Sequence, residues 1–280
     1  MKLLRHGPDG QEKPGLLDQD GQIRDLSGVI PDLTPEQLGA EALARLAALD
    51  PAALPLVPAQ TRLGAPVAGT RKVLAIGLNY ADHAAETGAV APKEPMLFSK
   101  AVTSICGPND VTELPPSSTR LDWEVELGFV IGTRAKAIAA GTGLAHIAGY
   151  VLANDYSERE WQKDRAGQFV KGKSHDSFCP LGPWLVTRDE IADPQDLSMH
   201  LSVNGETRQS GSTATMIHKV VFLVEYLSQF VTLEPGDVIL TGTPPGVGAG
   251  MKPPQFLRAG DVVELDIEGL GRQRHEVVAL

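Results

Sequence analysis

The chain has 280 residues, 42% of them hydrophobic and 21% charged, and its 25 basic and 35 acidic residues give a formal net charge of −10. This composition excludes a disordered chain and predicts one large domain, or one domain with a small appendage. The negative balance argues against nucleic acid or an anionic membrane as the main partner, but leaves room for a small anionic substrate. No run reaches the ~18 apolar residues of a membrane span and the N-terminus lacks a signal-peptide core, so we expect a soluble, cytoplasmic protein. Two cysteines are too few for a disulfide framework.

The first 65 residues predict a small α/β module. Over residues 1–30, short apolar pairs alternate with Asp-Gly turns, which is typical of two or three short strands. The Ala/Leu/Glu-rich stretch 35–49 predicts a helix. Four prolines between 51 and 66 indicate an extended linker. We therefore place a domain boundary near residue 65, with the main domain at 66–280.

Strand patterns dominate the main domain. Runs rich in β-branched and apolar residues, bounded by Gly, Pro, Asn or Asp, occur at 72–78, 122–132, 145–155, 197–205, 236–242 and 260–271. Helical patterns are fewer and occur at 80–87, 156–165 and 213–230. The fold class predicted from this pattern is α+β and β-rich, with mixed or antiparallel sheets.

The stretch GLNYADHAAE (77–86) closes a predicted strand and opens a helix. His83 and Glu86 are three residues apart and share a helical face. A carboxylate beside an imidazole orients it and raises its basicity, so the pair is a candidate general base, although such pairs are also common as plain surface contacts. The segment GAVAPKEP (88–95) that follows has the composition of a lid.

The stretch DWEVELG carries the strongest chemical signal. In a strand, Asp122, Glu124 and Glu126 fall on one face, with neighbours about 7 Å apart from two rises of ~3.3 Å. The strand continues into LGFVIG, a pattern typical of burial on both faces. Carboxylates that enter an apolar core repel one another and lose hydration, and a hard divalent cation such as Mg²⁺ or Mn²⁺ removes both penalties. The alternative is a solvated polar face.

A third acid, Asp155, ends the apolar strand AGYVLAND. On a helix that starts after it, Arg159 and Gln162 are three residues apart and share a face. Arg159 could instead form an ordinary ion pair with a nearby acid. Further along, TGTPPGVGAG (241–250) ends a strand in a Gly/Pro loop, whose backbone N–H groups could receive a carboxylate, or which could be a plain turn.

Residues 167–174, GQFVKGKS, match the phosphate-binding pattern G-x-x-x-x-G-K-[ST]. A true phosphate loop follows a buried strand and opens a helix. Here the polar stretch SEREWQKDRA precedes the match, and the proline-containing stretch HDSFCPLGPW follows it. We interpret the match as accidental and reject an NTPase, which leaves Lys173 in need of another role.

Taken in order, GLNYADHAAE, DWEVELG, NDYSEREWQ, GKS, VNGETRQ and GDVILTGTPPGVG resemble the fumarylacetoacetate hydrolase family over roughly residues 70–270. The resemblance implies the rolled mixed β-sheet core of that family and a homodimer. It places the family's metal ligands, for Mg²⁺ or Mn²⁺, at Glu124, Glu126 and Asp155. It places the catalytic residues, a water-activating pair and the lysine beside the metal, at His83, Glu86 and Lys173. It places substrate-contacting residues at Arg159, Gln162, Thr243 and Lys100.

Within the family, GQEKPGLLD and KGKSHDSFCPLGPWLVT resemble a bacterial sugar-acid branch of 2,4-diketo-3-deoxy-L-rhamnonate or -fuconate hydrolases, often labelled ureidoglycolate lyase. The resulting hypothesis is metal-dependent hydrolysis of the C3–C4 bond of a 2,4-diketo acid, which gives pyruvate and a second acid such as lactate. Three alternatives stay open: a decarboxylase, tautomerase or isomerase of oxaloacetate-like or dienoate acids, a ureidoglycolate lyase, and a non-catalytic metal or sugar-acid binding protein. His175, next to the GKS motif, has no assigned role.

Overall fold

The computed structural model describes residues 1–86 and 92–280. In these residues the strands are, in chain order, β1 (Lys2–His6), β2 (Lys13–Leu17), β3 (Ile23–Asp25), β4 (Leu63–Gly64), β5 (Val73–Gly77), β6 (Met96–Lys100), β7 (Ile105–Cys106), β8 (Thr112–Leu114), β9 (Leu121–Asp122), β10 (Val125–Ile131), β11 (Ile147–Asn154), β12 (Ser157–Glu158), β13 (Cys179–Pro180), β14 (Leu185–Thr187), β15 (Ser198–Val203), β16 (Glu206–Ser212), β17 (Val238–Leu240), β18 (Val262–Ile267) and β19 (Gly271–Ala279).

The helices in the described residues are short. The α-helices are α1 (Ala40–Ala47), α2 (Ala81–Glu86), α3 (Val170–Lys173) and α4 (Val220–Leu227). A π-helical turn covers Glu160–Asp164. Turns of 3₁₀ helix lie at Pro35–Gln37, Pro51–Ala53, Val102–Ser104, Gly143–His146, Arg188–Glu190, Thr213–Thr215 and Gly248–Gly250. None of the described helices is long and apolar enough to cross a lipid bilayer.

The largest sheet has the strand order β3-β2-β1-β14-β11-β10-β17-β5-β6, and β4 also pairs with β1. Its β17–β5 pair is parallel and its other pairs are antiparallel, so the sheet is mixed. In the β10–β11 pair, Val125 lies opposite Asn154. This register brings the beginning of β10, with its acidic residues, next to the end of β11, where Asp155 follows.

A second sheet has the order β16-β15-β18-β19-β8, with β19 and β8 parallel. The pairs β12–β9 and β13–β7 form two small ladders beside the large sheet. The predicted α+β, β-rich class with mixed sheets is therefore confirmed.

The core of the molecule lies on both faces of β10. Leu127 and Phe129 pack into a cluster shared with Leu265 of the second sheet and Leu223 of α4. On the other face, Val130 packs into a cluster with residues of the N-terminal segment, such as Leu33. All seven residues of β10 are buried, as the LGFVIG pattern predicts.

The N-terminal strands continue the large sheet, because β1 pairs with β14 with Lys2 opposite Val186. The division of the chain near residue 65 stays a prediction. The predicted helix 35–49 forms a 3₁₀ turn and then α1, and the predicted helix 213–230 forms only over Val220–Leu227. Residue 87 of the predicted helix 80–87, and residues 88–91 of the predicted lid, lie outside the described residues.

Candidate active site

A cavity of about 630 Å³ lies where β10 begins and β11 ends. This volume is within the range of small-molecule sites. Nine of the ten predicted site residues are among the described residues that line it, namely His83, Glu86, Glu124, Glu126, Asp155, Arg159, Gln162, Lys173 and Thr243. The tenth, Lys100, does not line the cavity.

Three carboxylates converge at the inner end of the cavity. Glu124 precedes β10, Glu126 lies within it, and Asp155 directly follows β11. One oxygen of each lies within 4.8 Å of the others, and all three residues are buried. Strand alternation brings the two glutamates to the same side, and the antiparallel pairing of β10 with β11 adds the aspartate.

The environment separates the pKa values of these acids. Burial raises the pKa of Glu126 well above its usual value, and the charges of Asp155 and Glu124 raise it further, against the opposing effects of Lys173 and the Gly242 N–H. Burial also works against ionisation of Glu124, but Arg159 and Lys173 outweigh it and hold the pKa of Glu124 far below its usual value. Glu126 is therefore the carboxylate whose charge the protein compensates least.

Buried cations bind the other carboxylates directly. The Lys173 ammonium lies 2.6 Å from Glu124 Oε2 and 2.6 Å from Asp155 Oδ2. Arg159 donates from Nη2 to Glu124 Oε1 at 2.7 Å, and from Nη1 to Gln162 Oε1 at 3.1 Å. The predicted shared face of Arg159 and Gln162 is thus present, on a π-helical turn rather than an α-helix.

Lys173 belongs to α3 and not to a phosphate loop. In the chain order, α3 follows the π-helical turn and precedes β13, so no strand leads into it. Its ammonium binds two carboxylates, as described above. An ammonium surrounded by carboxylates is unsuited to binding phosphate. The rejection of an NTPase therefore agrees with the structure.

Gly172 lets α3 approach the turn that carries Arg159 and Gln162. A Cβ atom at this position would lie 2.5 Å from Gln162 N and 2.7 Å from Glu158 O, both backbone atoms. Gly172→Ala should therefore displace α3 and Lys173, destabilise the fold by about 1–3 kcal/mol and reduce activity. Thermal denaturation and a turnover assay would measure both effects.

Gly28 provides the matched control for this substitution, because a Cβ atom there has no neighbour within 4 Å. Gly28→Ala should leave stability within about 0.5 kcal/mol of the wild type. Equal effects of the two substitutions would show that close packing at Gly172 does not position Lys173.

Lys100 lies behind the cavity, with its ammonium 2.5 Å from Asp155 Oδ1. It also donates to the backbone carbonyl of Lys173. Its side chain is fully buried, as is that of Asp155. Lys100 therefore holds Asp155 and the end of α3 in place from the side opposite the cavity.

Lys100→Met should leave Asp155 with less compensation and destabilise the metal-free protein by about 3–5 kcal/mol, because removal of one partner of a buried ion pair strands the other charge. Urea unfolding in EDTA at pH 7 would measure this. The control is Arg134→Met, which breaks the exposed Arg134–Glu234 pair and should change stability by about 1 kcal/mol or less. A similar loss in both variants would contradict the positioning role of Lys100.

His83 and Glu86 face each other on α2. The distance from His83 Nδ1 to Glu86 Oε2 is 3.2 Å, and His83 is buried. Both oxygens of Glu86 also accept the N–H of Gly246, at 3.1 and 3.2 Å. The pair therefore has a fixed orientation within the described residues and lines the same cavity as the three acids.

The Gly/Pro loop after β17 receives carboxylates, as the sequence suggested, but they are the protein's own. Gly242 N donates to Glu126 Oε2 at 2.8 Å. Gly248 N and Ala249 N donate to Asp122 at 2.7 and 3.0 Å. The loop thereby organises the site from its backbone.

Asp122 is a site residue that the sequence analysis grouped with the acids but gave no role. It is fully buried, and its Oδ2 accepts Arg159 Nε at 2.8 Å. Asp122 therefore connects the Gly/Pro loop to the arginine that holds Glu124. The alternation in DWEVELG, which places Asp122 on the same face as Glu124, is the sequence signal that could have identified Asp122 as a site residue.

Two amides, also absent from the sequence analysis, fix the backbone at the beginning of β10. Asn154 Oδ1 accepts the N–H of Glu124 at 2.9 Å. Gln209 Oε1 accepts the N–H of Val125 at 2.9 Å, and its Nε2 donates to Thr243 Oγ1 at 2.8 Å. Thr243 in turn donates to Val125 O at 2.8 Å. No local pattern marks such residues, because their partners are distant in sequence.

The carboxylate cluster fits a divalent cation. Oxygen donors of this kind suit Mg²⁺ and Mn²⁺. Among the described residues, Glu126 receives one hydrogen bond, from Gly242, and no cation forms an ion pair with it. A bound divalent ion would compensate this charge and the repulsion among the three acids.

The chain matches a known protein-family model. The family model described as "Fumarylacetoacetate (FAA) hydrolase C-terminal" matches residues 72–278. A curated relative from Burkholderia ambifaria (strain MC40-6), whose name says hydrolase and gives no substrate, is 58% identical over 274 residues, which cover 98% of this chain and 97% of the relative.

Solved structures similar to this one include hydrolases and isomerases. A fumarylacetoacetate hydrolase from Exiguobacterium antarcticum is 39% identical, with a TM-score of 0.88 and full coverage of both chains. A 5-carboxymethyl-2-hydroxymuconate delta-isomerase from Mycobacterium smegmatis is 35% identical (TM-score 0.78; coverage 100% of this chain and 99% of that one). A maleylpyruvate hydrolase from Sphingobium sp. SYK-6, in complex with manganese(II) and pyruvate, is 28% identical (TM-score 0.83; coverage 100% and 99%).

Proposed function

The chain belongs to the fumarylacetoacetate hydrolase family, and from this premise we propose that it hydrolyses the C3–C4 bond of a 2,4-diketo acid, with a divalent metal, to give pyruvate and a second carboxylic acid. One observation carries the proposal: the His83–Glu86 pair and the carboxylate cluster line the same cavity. A base and a charged site on one cavity are what water addition to a carbonyl next to an enolisable acid requires.

Glu124, Glu126 and Asp155 would hold the metal, Mg²⁺ or Mn²⁺. When bound, the metal supplies a Lewis acid and positive charge at the end of the substrate where the enolate of pyruvate develops. The manganese and pyruvate in the Sphingobium maleylpyruvate hydrolase support this assignment. Lys173 and Lys100 keep Asp155 in place, and Lys173 adds its own positive charge to the inner end of the cavity.

His83 would act as the general base. In the tautomer that donates Nδ1–H to Glu86, the basic lone pair is on Nε2, which takes a proton from water as the water adds to the C4 carbonyl. The C3–C4 bond then breaks, its electron pair passes into the enolate of pyruvate, and the imidazolium returns the proton to C3. Arg159 and Gln162 would fix the carboxylate end of the substrate, and Thr243, which follows Gly242 in the cavity lining, would also contact the substrate.

A panel of acylpyruvates and 2,4-diketo-3-deoxy sugar acids would test this proposal. Each compound is incubated with Mg²⁺, with Mn²⁺ and with EDTA, and pyruvate is measured. Metal-dependent pyruvate release from any of them supports C–C hydrolysis. Turnover of oxaloacetate or a dienoate acid, without pyruvate release from the panel, would instead favour a decarboxylase, tautomerase or isomerase, for which the isomerase of similar structure is the argument.

The sugar-acid substrate, the cytoplasmic location and the homodimer remain predictions from the sequence. The substrate panel described above tests the sugar-acid prediction. Light scattering of the purified protein would test the homodimer.

A further inference from the structure

Asn79 is a buried residue that takes no part in the chemistry described above. It lies between the end of β5 and the beginning of α2, and it is not one of the described residues that line the cavity. It is fully buried. Its Nδ2 donates to Thr241 O at 2.8 Å and to His218 O at 3.0 Å, and its Oδ1 accepts the N–H of His218 at 2.8 Å. A buried amide with partners at both ends fixes the segments that it connects.

The bond to Thr241 reaches the backbone that holds the carboxylate cluster. Thr241 follows β17, and the next residue, Gly242, donates its N–H to Glu126. The N–H and the hydroxyl of Thr241 both donate to Leu127 O, at 3.1 and 2.8 Å. Gly242 has a φ of +95°, and a Cβ atom there would lie 3.0 Å from Asn79 Cβ. Asn79 is therefore packed against the backbone that binds Glu126.

The bonds to His218 connect Asn79 to the segment before α4, residues 215–218, and this segment also holds α2. Thr215 Oγ1 lies 3.2 and 3.3 Å from the two carboxylate oxygens of Asp82, in the first turn of α2. Asp82 in turn accepts the backbone N–H of the next residue at 3.0 Å. The beginning of α2 is thus attached to one segment at two points.

We propose that Asn79 is a positioning residue, whose side chain fixes α2, and with it His83, relative to the carboxylate cluster. The hydrogen bond to Thr241 fixes the side of the cluster, and the hydrogen bonds to His218 fix the side of the helix. His83 lies four residues after Asn79, so a shift at this amide moves the imidazole. The inference rests on the proposed function, because it takes His83 as the base, and it adds a residue outside the cavity on which the reaction depends.

A double-mutant cycle of Asn79→Ala and His83→Ala tests the inference on whichever compound of the substrate panel the wild type turns over. Asn79→Ala alone should lower kcat about 10–100-fold with KM within about threefold, because a displacement of about 1 Å can cost 100-fold in rate. In the His83→Ala background it should lower kcat less than about twofold, because a residue that acts only through His83 has no base left to position. Losses that multiply in the double variant would overturn the inference.

Two measurements without substrate separate positioning from a general loss of structure. Asn79→Ala should retain the Mn²⁺-induced thermal shift of the wild type, because it leaves Glu124, Glu126 and Asp155 in place. Amide hydrogen exchange over α2 should become faster in this variant, because the helix loses an attachment. Loss of the Mn²⁺ shift would show that Asn79 acts on the metal-binding acids instead, and unchanged exchange would show that it does not hold α2. Either result would overturn the inference.

Thr215→Val is a milder variant that keeps the test decisive if Asn79→Ala does not fold. It removes the hydroxyl that contacts Asp82. It should lower kcat about two- to fivefold, and have no further effect in the His83→Ala background. An unchanged kcat in Thr215→Val, with Asn79→Ala unfolded, would overturn the inference.

The control is Asn204→Ala, at the turn between β15 and β16 and away from the cavity. Asn204 also uses both ends of its amide, because it donates to Asp261 and accepts the N–H of Val262. Asn204→Ala should lower the melting temperature and leave kcat unchanged. A comparable loss of kcat in this variant would assign the effect of Asn79→Ala to lost stability and overturn the inference.

The same cycle distinguishes failure of this inference from failure of the proposed function. If His83→Ala lowers kcat and Asn79→Ala does not, the positioning role alone is wrong. If His83→Ala leaves kcat unchanged, the base assignment is wrong and the positioning role is wrong with it.

Discussion

Glu126→Gln is expected to reduce metal-dependent turnover by more than about 100-fold and to stabilise the metal-free protein. Loss of residues that only support metal ligands costs about 10–100-fold, so loss of a ligand should cost more. The gain in stability follows from the raised pKa of Glu126. Each unit of such a shift corresponds to about 1.4 kcal/mol at a pH where the carboxylate is ionised, and glutamine retains the oxygen that accepts the Gly242 N–H.

The raised pKa of Glu126 also determines whether the stability of the metal-free protein rises or falls with pH. The pKa of Glu126 is higher in the folded protein than its ordinary value of 4.5. The folded state therefore binds more protons above that pH, and the wild type loses stability as pH rises from about 4.5 through the folded pKa. Glu126→Gln should lack this component of the loss.

Thermal melts at several pH values, with EDTA and with excess Mn²⁺, would measure the changes in stability. A turnover assay with metal would measure the loss of activity. Mn²⁺ at about 100 times its Kd should stabilise the wild type by about 2.7 kcal/mol and Glu126→Gln far less. The control is Glu264→Gln, which changes a partly exposed strand glutamate of the second sheet. An unchanged Mn²⁺ shift in Glu126→Gln would remove Glu126 from the metal ligands.

Local periodicity sufficed for the parts of the site that lie close together in sequence. The alternation of a strand places Glu124 and Glu126 on the same side, and the spacing of a helix brings His83 to Glu86. Both arrangements depend on a few residues of regular backbone. The structure has each of them as the local pattern predicts.

The other contacts of the site depend on which strands and loops pair in the folded chain. No local sequence pattern contains that information. Asp155 reaches the glutamates because Val125 pairs with Asn154 across two strands. Lys100, on β6, points to the back of Asp155 rather than into the cavity because of where that strand lies in the sheet. Similarly, the loop N–H groups meet Asp122 and Glu86 from more than a hundred residues away, which single-sequence reasoning could not anticipate.

The residues at which a helix begins and ends also could not be predicted from the sequence pattern. The apolar run of 213–230 continues through α4, yet helix forms only from Val220 to Leu227. Before it, Ser212 accepts the N–H of Ala214 and caps a separate 3₁₀ turn. Asn79 also accepts the N–H of His218, ahead of the helix. These tertiary and capping contacts fix a boundary that propensity alone leaves open.

His83→Ala should lower kcat by about 10²–10⁴-fold, as expected for loss of a general base, while the Mn²⁺-induced thermal shift remains. The two effects separate because Glu124, Glu126 and Asp155 supply the cluster without any contribution from His83. Turnover over a range of pH and thermal melts with Mn²⁺ would measure both. The matched control is His200→Ala on the exposed face of β15, which should leave kcat and the thermal shift unchanged.

Substitution of Glu86, the hydrogen-bond partner of His83, gives a second test of the general base. Glu86 contacts His83 at 3.2 Å and is itself held by the Gly246 N–H. Glu86→Gln should therefore reduce kcat less than His83→Ala, because glutamine keeps an oxygen that can accept the Nδ1–H of His83 but loses the negative charge beside the imidazole. A near-wild-type kcat in His83→Ala would exclude water activation by this residue. Loss of pyruvate release with unchanged substrate affinity would support the role of His83 in water activation.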